Sequence, residues 1–207
     1  MHSRHYRAVH RRHRNRFRDG ISIYYLPPIA GLALSTYVLS ASHASYDEYV
    51  DTFIAPPVLY PSRGYTLDDI IEDPYVRSHV RSVNLDIIGF DFGSAELSAA
   101  AIEKLEDLAD AILEVIEQDP TQVFLIAGHT DAVGSFEKNL ELSEERAANV
   151  QEILISEYGV AAENLEAVGY GEQYLRINTS GPERRNRRVV IRAIGSLLAD
   201  RPAQDAN

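Results

Sequence analysis

The order of hydrophobic patterns along this chain predicts an α/β fold, helices packed on a mixed sheet. Two amphipathic helical stripes alternate with short apolar runs between residues 83 and 195, and two further strand-like runs close the region, giving the order strand, helix, strand, helix, strand, strand. The composition agrees, since 45% of the residues are hydrophobic and 25% charged. That is enough apolar material for one core.

The elements follow in order. Val83-Asn-Leu-Asp-Ile-Ile-Gly-Phe-Asp-Phe92 alternates and reads as a first strand, broken by Gly93-Ser94. Ser98 is placed to cap a helix with apolar positions Ile102, Leu105, Leu108, Ala109, Ile112, Leu113 and Ile116, ended by Pro120. The continuous run Val123–Ala127 is the mark of an interior strand covered on both faces. It stops at Gly128-His129-Thr130-Asp131. A second helix is expected from about Leu142 to Tyr158, facing inward with Ala147, Val150, Ile153 and Leu154 and stopped by Gly159. Strands near Leu165–Gly169 and Arg188–Ala193 complete the sheet.

Charge divides the chain. Lys plus Arg is 20 against Asp plus Glu 31, a net of −11. Residues 1–20 nevertheless hold seven Arg and one Asp, a charge of +6, leaving −17 for the rest. The arm's four His are interleaved with Arg, which opposes a metal role. Ile21 to Tyr46 carries no Asp, Glu, Lys or Arg and contains Ser42-His43-Ala44, the small-residue pattern of a signal-peptidase site. Pro27-Pro28 interrupts any helix, and the 16 residues Ile29–Ala44 would span roughly 24 Å against a ~30 Å bilayer core. Alternatively, Ile21–Leu26 pairs as a strand with Thr36–Leu39. Signal, membrane anchor and packed segment all stay open for residues 1–46. Residues 47–82 read as an acidic, Pro- and Gly-punctuated linker with one helix near Leu67–Glu72 behind Thr66. Residues 196–207 read as a tail.

The absence of cysteine removes disulfides, thiolate zinc sites, a Cys nucleophile and N-terminal lipidation. No cofactor is expected. The sharpest chemical feature is Asp131 at the carboxyl end of the interior strand, where α/β sheets place ligand crevices, with Arg146 read as lying in the first turn of the following helix. A carboxylate and a guanidinium at one rim can take the ammonium and carboxylate of a zwitterion. Equally, the two can pair with each other. His129 lacks triad geometry relative to Asp131 and reads as packed, so no enzyme is expected. Arg184, Arg185, Arg187, Arg188 and Arg192 cluster in sequence, but an acidic body opposes a phosphate polymer, so nucleic acid is not an expected partner.

Gly128-His-Thr-Asp-Ala-Val-Gly134, Asn139-Leu-Glu-Leu-Ser143, Arg146-Ala147 with Val150, Gly169-Tyr-Gly-Glu172 and Asn186-Arg-Arg-Val189 resemble the OmpA-like C-terminal domain, over residues 83–195. The resemblance implies a Gram-negative envelope protein, periplasmic and outer-membrane associated, that binds peptidoglycan non-covalently through the diaminopimelate of its stem peptide. It implies Asp131 and Arg146 as the central ligands, Asn139 and Thr130 in support, the loop of Asp91, Phe92 and Gly93 as contacts, and Arg187 as a wall. An envelope protein adaptor using the same domain is the alternative, and membrane association through residues 21–46 and a homodimer are further partners to weigh. About 80 residues before the domain are too few for an eight-stranded barrel. Residues 21–46 also lack the membrane Asp of the flagellar-stator branch.

Overall fold

The computed structural model describes residues 38–57, 64–86 and 88–199. The arginine-rich arm and the strand expected over Ile21–Leu26 lie outside them. Five strands, β1 (Val38–Ser40), β2 (Ser82–Asn84), β3 (Phe124–His129), β4 (Leu165–Gly169) and β5 (Arg188–Ala193), form one mixed sheet in the order β1-β2-β5-β3-β4. β5 is antiparallel to β2 and β3, while β1 with β2 and β3 with β4 run parallel. Among the described residues six helices accompany it: α1 (Tyr46–Ile54), α2 (Leu67–Glu72), α3 (Pro74–Arg77), α4 (Ala99–Glu103), α5 (Glu106–Gln118) and α6 (Phe136–Ser156).

The α/β class, the last three strands and the short helix at Leu67–Glu72 are as the sequence predicts. Three details differ. The first strand ends at Asn84 rather than running to Phe92. Its apolar residues are still used, because Leu85, Ile88 and Phe90 are buried, but they anchor a loop to the core rather than continuing the strand. The first helix is split into α4 and α5 around Lys104-Leu105, with Ser98 capping the first part by accepting from the Ala101 backbone N–H at 3.2 Å. Finally, α6 begins at Phe136, capped by Ser135, so Arg146 sits almost three turns inside it. Arg146 is therefore not the first-turn residue that the sequence suggests, the polar residues Glu137, Lys138 and Asn139 having hidden the start of the helix.

One face of the sheet packs on α1, α5 and α6 through Phe124, Ile126, Val189, Ile191, Ala147, Val150, Leu108 and Ile112. α1 belongs to this core. Ser45 and Glu48 form a reciprocal cap at its start, and Tyr49, Val50 and Phe53 are buried. Phe53 meets Phe124 edge to face at 5.1 Å. Each such buried side chain stabilises by about 1.5–3 kcal/mol. The opposite face is covered by Ile70, Val76 and Val80 with Ile194 and Leu197. Residues 47–82, whose Pro and acidic content reads as a linker, thus supply buried contacts to both faces, because a few apolar residues at helical spacing suffice among many charged ones.

Val38–Ser40 form β1, which pairs with β2 at Val38↔Ser82, while Thr36, Tyr37 and the partner expected over Ile21–Leu26 lie outside the described residues. Asp86 ties it down, accepting from the Ser42 backbone N–H at 2.8 Å and from the hydroxyls of Ser40 and Ser42. Among the described residues no helix is long and apolar enough to cross a membrane.

Candidate functional site

The candidate site is set by close approach of α6 to the ends of β3 and β4. A Cβ at Gly128 would overlap the Ser143 carbonyl, and one at Gly169 would fall 2.5 Å from the Ser143 hydroxyl. Only glycine at both positions lets the helix backbone touch the sheet. Ser143 then locks the contact, its hydroxyl donating to the Leu140 carbonyl at 2.7 Å and accepting from the Gly171 N–H at 2.8 Å. The Thr130 N–H donates to the Gly171 carbonyl at 2.9 Å. Asn139, also buried, donates to the Glu172 carboxylate. The glycine-bearing motifs are therefore packing devices first.

Arg146 is 0% exposed. Its Nε donates to the Ser94 carbonyl at 3.0 Å, Nη1 to the His129 carbonyl at 3.2 Å and Nη2 to the Asp91 carbonyl at 3.4 Å. The guanidinium also lies 4.8 Å from the Phe90 ring centroid, within cation–π range. One side chain thus ties the β2–α4 loop to β3. Burial, with Arg187 adding repulsion and Asp131 opposing it, lowers its pKa to about 10. It remains a cation at neutral pH.

Asp131 is 3% exposed and pairs with Arg187, whose Nη1 donates to its carboxylate at 2.8 Å. The backbone N–H groups of Glu183 and Val133 also donate to it, at 3.3 and 3.4 Å. Asp131 and Arg146 therefore lie within electrostatic reach of each other without bonding to each other. Both are buried, unlike the exposed rim the sequence suggests. Arg187 is the residue whose role spacing understated: it is the partner of Asp131. Asp91 contributes its carbonyl, Phe92 is 67% exposed, and Gly93 adopts φ +72 with open space about it. The Thr130 hydroxyl is buried without a hydrogen-bond partner.

The arginines in and just before the last strand do not form one surface. Arg187 serves Asp131, Arg185 pairs with Glu183 at 2.8 Å, and Arg188 and Arg192 point to the other side of the sheet. His129 is buried against Tyr170, with ring centroids 5.6 Å apart. No group of three or more metal-ligating side chains occurs among the described residues.

With this geometry in place, comparison with known proteins is specific. The OmpA family model matches residues 89–188. Outer membrane porin F of Pseudomonas aeruginosa is 38% identical over 118 residues, covering 56% of this chain and 32% of that protein. Outer membrane protein P5 of Haemophilus influenzae is 36% identical over 103 residues, covering 50% and 28%. The chain thus spans less than a third of the length of these relatives. Among solved structures, the peptidoglycan-associated lipoprotein of Burkholderia pseudomallei is 26% identical, with 60% of this chain and 98% of that one covered at a TM-score of 0.43. The family match takes in the loop before α4, the helices α4, α5 and α6 and the strands β3 and β4, so residues 89–188 are similar to the OmpA family.

Proposed function

We propose that this chain is a non-enzymatic tether of the bacterial envelope that binds peptidoglycan non-covalently, with Asp131 and Arg146 receiving the ammonium and carboxylate of diaminopimelate. The outer-membrane relatives support a periplasmic, outer-membrane-associated place for the domain. The observation that carries the chemistry is the unused capacity of the two buried groups. A guanidinium has five N–H donors. Arg146 commits one from each nitrogen, which leaves one on each terminal nitrogen, the pair a carboxylate takes in a fork. A carboxylate has about four acceptor positions, and Asp131 receives Arg187, Glu183 and Val133. Room for one further donor remains, and Arg187 can yield its place to an ammonium of the same charge. Burial makes the contact dry, so losing one partner should cost about 2–5 kcal/mol.

Co-sedimentation with purified diaminopimelate-type sacculi tests this reading. Asp131→Asn, close in shape, is expected to leave the protein folded by near-ultraviolet circular dichroism and to remove it from the pellet. Sacculi carrying lysine at the same stem position lack the second carboxylate and should not pellet the wild type. Pelleting of folded Asp131→Asn at the wild-type level sinks the assignment.

A further inference from the structure

The strongest unexplained feature is on the other face of the sheet. Strand alternation puts Val189, Ile191 and Ala193 into the main core, so Arg188 and Arg192 stand on the rear face with Leu125 and His129 beside them in register. From α3, Arg77 comes over the same area, 4.4 Å above the Tyr170 ring centroid and 5.0 Å from that of Tyr174. Arg77 is 4% exposed. The two tyrosines stack edge to face at 5.1 Å.

This cluster is cationic without an answering acid. Arg77 donates to the carbonyls of Ile70 and Ile71, and Arg188 to those of Asn186 and Tyr174. These are neutral partners. Among the described residues, none of the three makes an ion pair, in contrast to Arg185 and Arg187. The buried Nε of Arg192 has no hydrogen-bond partner, and neither has Nδ1 of His129, a side chain 4% exposed. Burial and mutual repulsion lower Arg188 and Arg192 to about 10, still cationic at neutral pH. Burying like charges together is costly unless an opposite charge enters.

We infer that the rear face of the sheet is an oxyanion site, in which Arg77, Arg188 and Arg192, grouped around Tyr170 and Tyr174, hold a phosphate-class group. Guanidinium forks fit such oxygens bidentately, and a dianion compensates more of a triple positive charge than a single carboxylate. Tyr174, Arg188 and Arg192 are only partly buried and Arg176, whose charge acts on Arg188, is exposed, so solvent lies nearest the Tyr174 and Arg176 side of the cluster. The site lies across the sheet from Asp131 and does not depend on peptidoglycan binding.

The test is thermal unfolding of the full chain at pH 7.5, with inorganic phosphate titrated against chloride at matched ionic strength. Wild type should show a saturable Tm rise of about 5 °C or more, and Arg192→Gln should lose it. Arg192→Lys keeps the charge but not the fork, and serves if the glutamine variant does not fold; it should lose most of the rise. Vesicles of phosphatidylglycerol against phosphatidylcholine then separate the sources: pelleting with the former that R192Q abolishes assigns a lipid headgroup, and no pelleting assigns a free phosphate. A wild type indifferent to phosphate, or variants that respond equally, overturns the site. Sacculus binding read in parallel by R192Q should stay at the wild-type level, so failure here is distinct from failure at Asp131.

Discussion

The two faces of the sheet handle buried arginine in opposite ways. In the front crevice Arg187 is matched by Asp131 at 2.8 Å, and Arg146 spreads its donors over three carbonyls with the same acid in electrostatic reach. At the rear, Arg77 and Arg188 meet carbonyls, Arg77 also lies over ring faces, and among the described residues none of Arg77, Arg188 and Arg192 makes an ion pair. His129 belongs to both: its carbonyl holds Arg146, while its ring lies on the rear side against Tyr170. The difference teaches that burial of a cation does not by itself mark its role. A compensated arginine can be scaffold; an uncompensated group of them points to something that arrives from outside.

The largest effect should come from Arg146→Ala. Three carbonyls on two segments lose their shared donor and a cavity opens, so unfolding in urea should show a loss of about 3–5 kcal/mol. Arg146→Lys keeps the charge without the three-way fork and should recover less than half of this. Full recovery by lysine would mean that charge, rather than geometry, holds the loop. Next comes the pair Asp131 and Arg187. Asp131→Asn removes the only ion pair Arg187 makes among the described residues, at an expected cost of about 2–4 kcal/mol. A double-mutant cycle with Arg187→Gln should return a coupling above about 1 kcal/mol. Additive losses would show that the backbone donors of Glu183 and Val133, rather than Arg187, satisfy the acid.

Much of this was legible in the residues, unevenly. Interior strands and amphipathic stripes announce themselves, so β3, β4 and β5 stand where the pattern puts them. The partner of Asp131 was not legible, because Asp131 and Arg187 are 56 positions apart and only the fold decides between Arg146 and Arg187. The start of α6 was missed because its first turn carries one apolar residue, the exposed Phe136, among Glu137, Lys138 and Asn139, and helix periodicity needs an apolar stripe to be seen. Residues 46–54 were hidden differently: three buried side chains among acidic ones resemble a solvated stretch until Phe53 is found against Phe124. A signal for the rear cluster did exist. Arg188 and Arg192 alternate with core residues on a strand covered on both faces, so they had to face inward somewhere.

His129 gives a smaller, pH-dependent contrast between the faces. Burial first, and then Arg188, Arg192 and Arg77, hold its pKa well below the ordinary 6.5. The native ring therefore stays neutral while the unfolded chain takes up a proton near pH 6.5. Below that pH the unfolded state binds more protons, and stability falls by up to about 1.4 kcal/mol per unit until the folded pKa is reached. Above it the contribution is complete. His129→Phe, which preserves the ring stack on Tyr170, should flatten the difference between stability at pH 7.5 and pH 5.5 relative to wild type. Identical slopes would mean that the imidazole is not shielded from protons by its arginine neighbours.

The smallest effect should be at Arg185. Its guanidinium grips Glu183 in two bonds, at 3.0 and 2.8 Å, and the carboxyl is held down to about 2, chiefly by that side-chain hydrogen bond. By geometry alone this pair resembles Asp131 with Arg187. Its setting is the opposite, since the Arg185 side chain is 62% exposed against 16% for Arg187, and water and salt screen what burial would preserve. Glu183 serves the crevice through its backbone N–H, which donates to Asp131 whatever its side chain does. Arg185→Ala is therefore expected to leave the urea midpoint unchanged within measurement and sacculus binding intact. A clear loss in either would show that the loop of residues 181–187 needs this clasp to present its N–H, and exposure would then be a poor guide to which charges the crevice depends on.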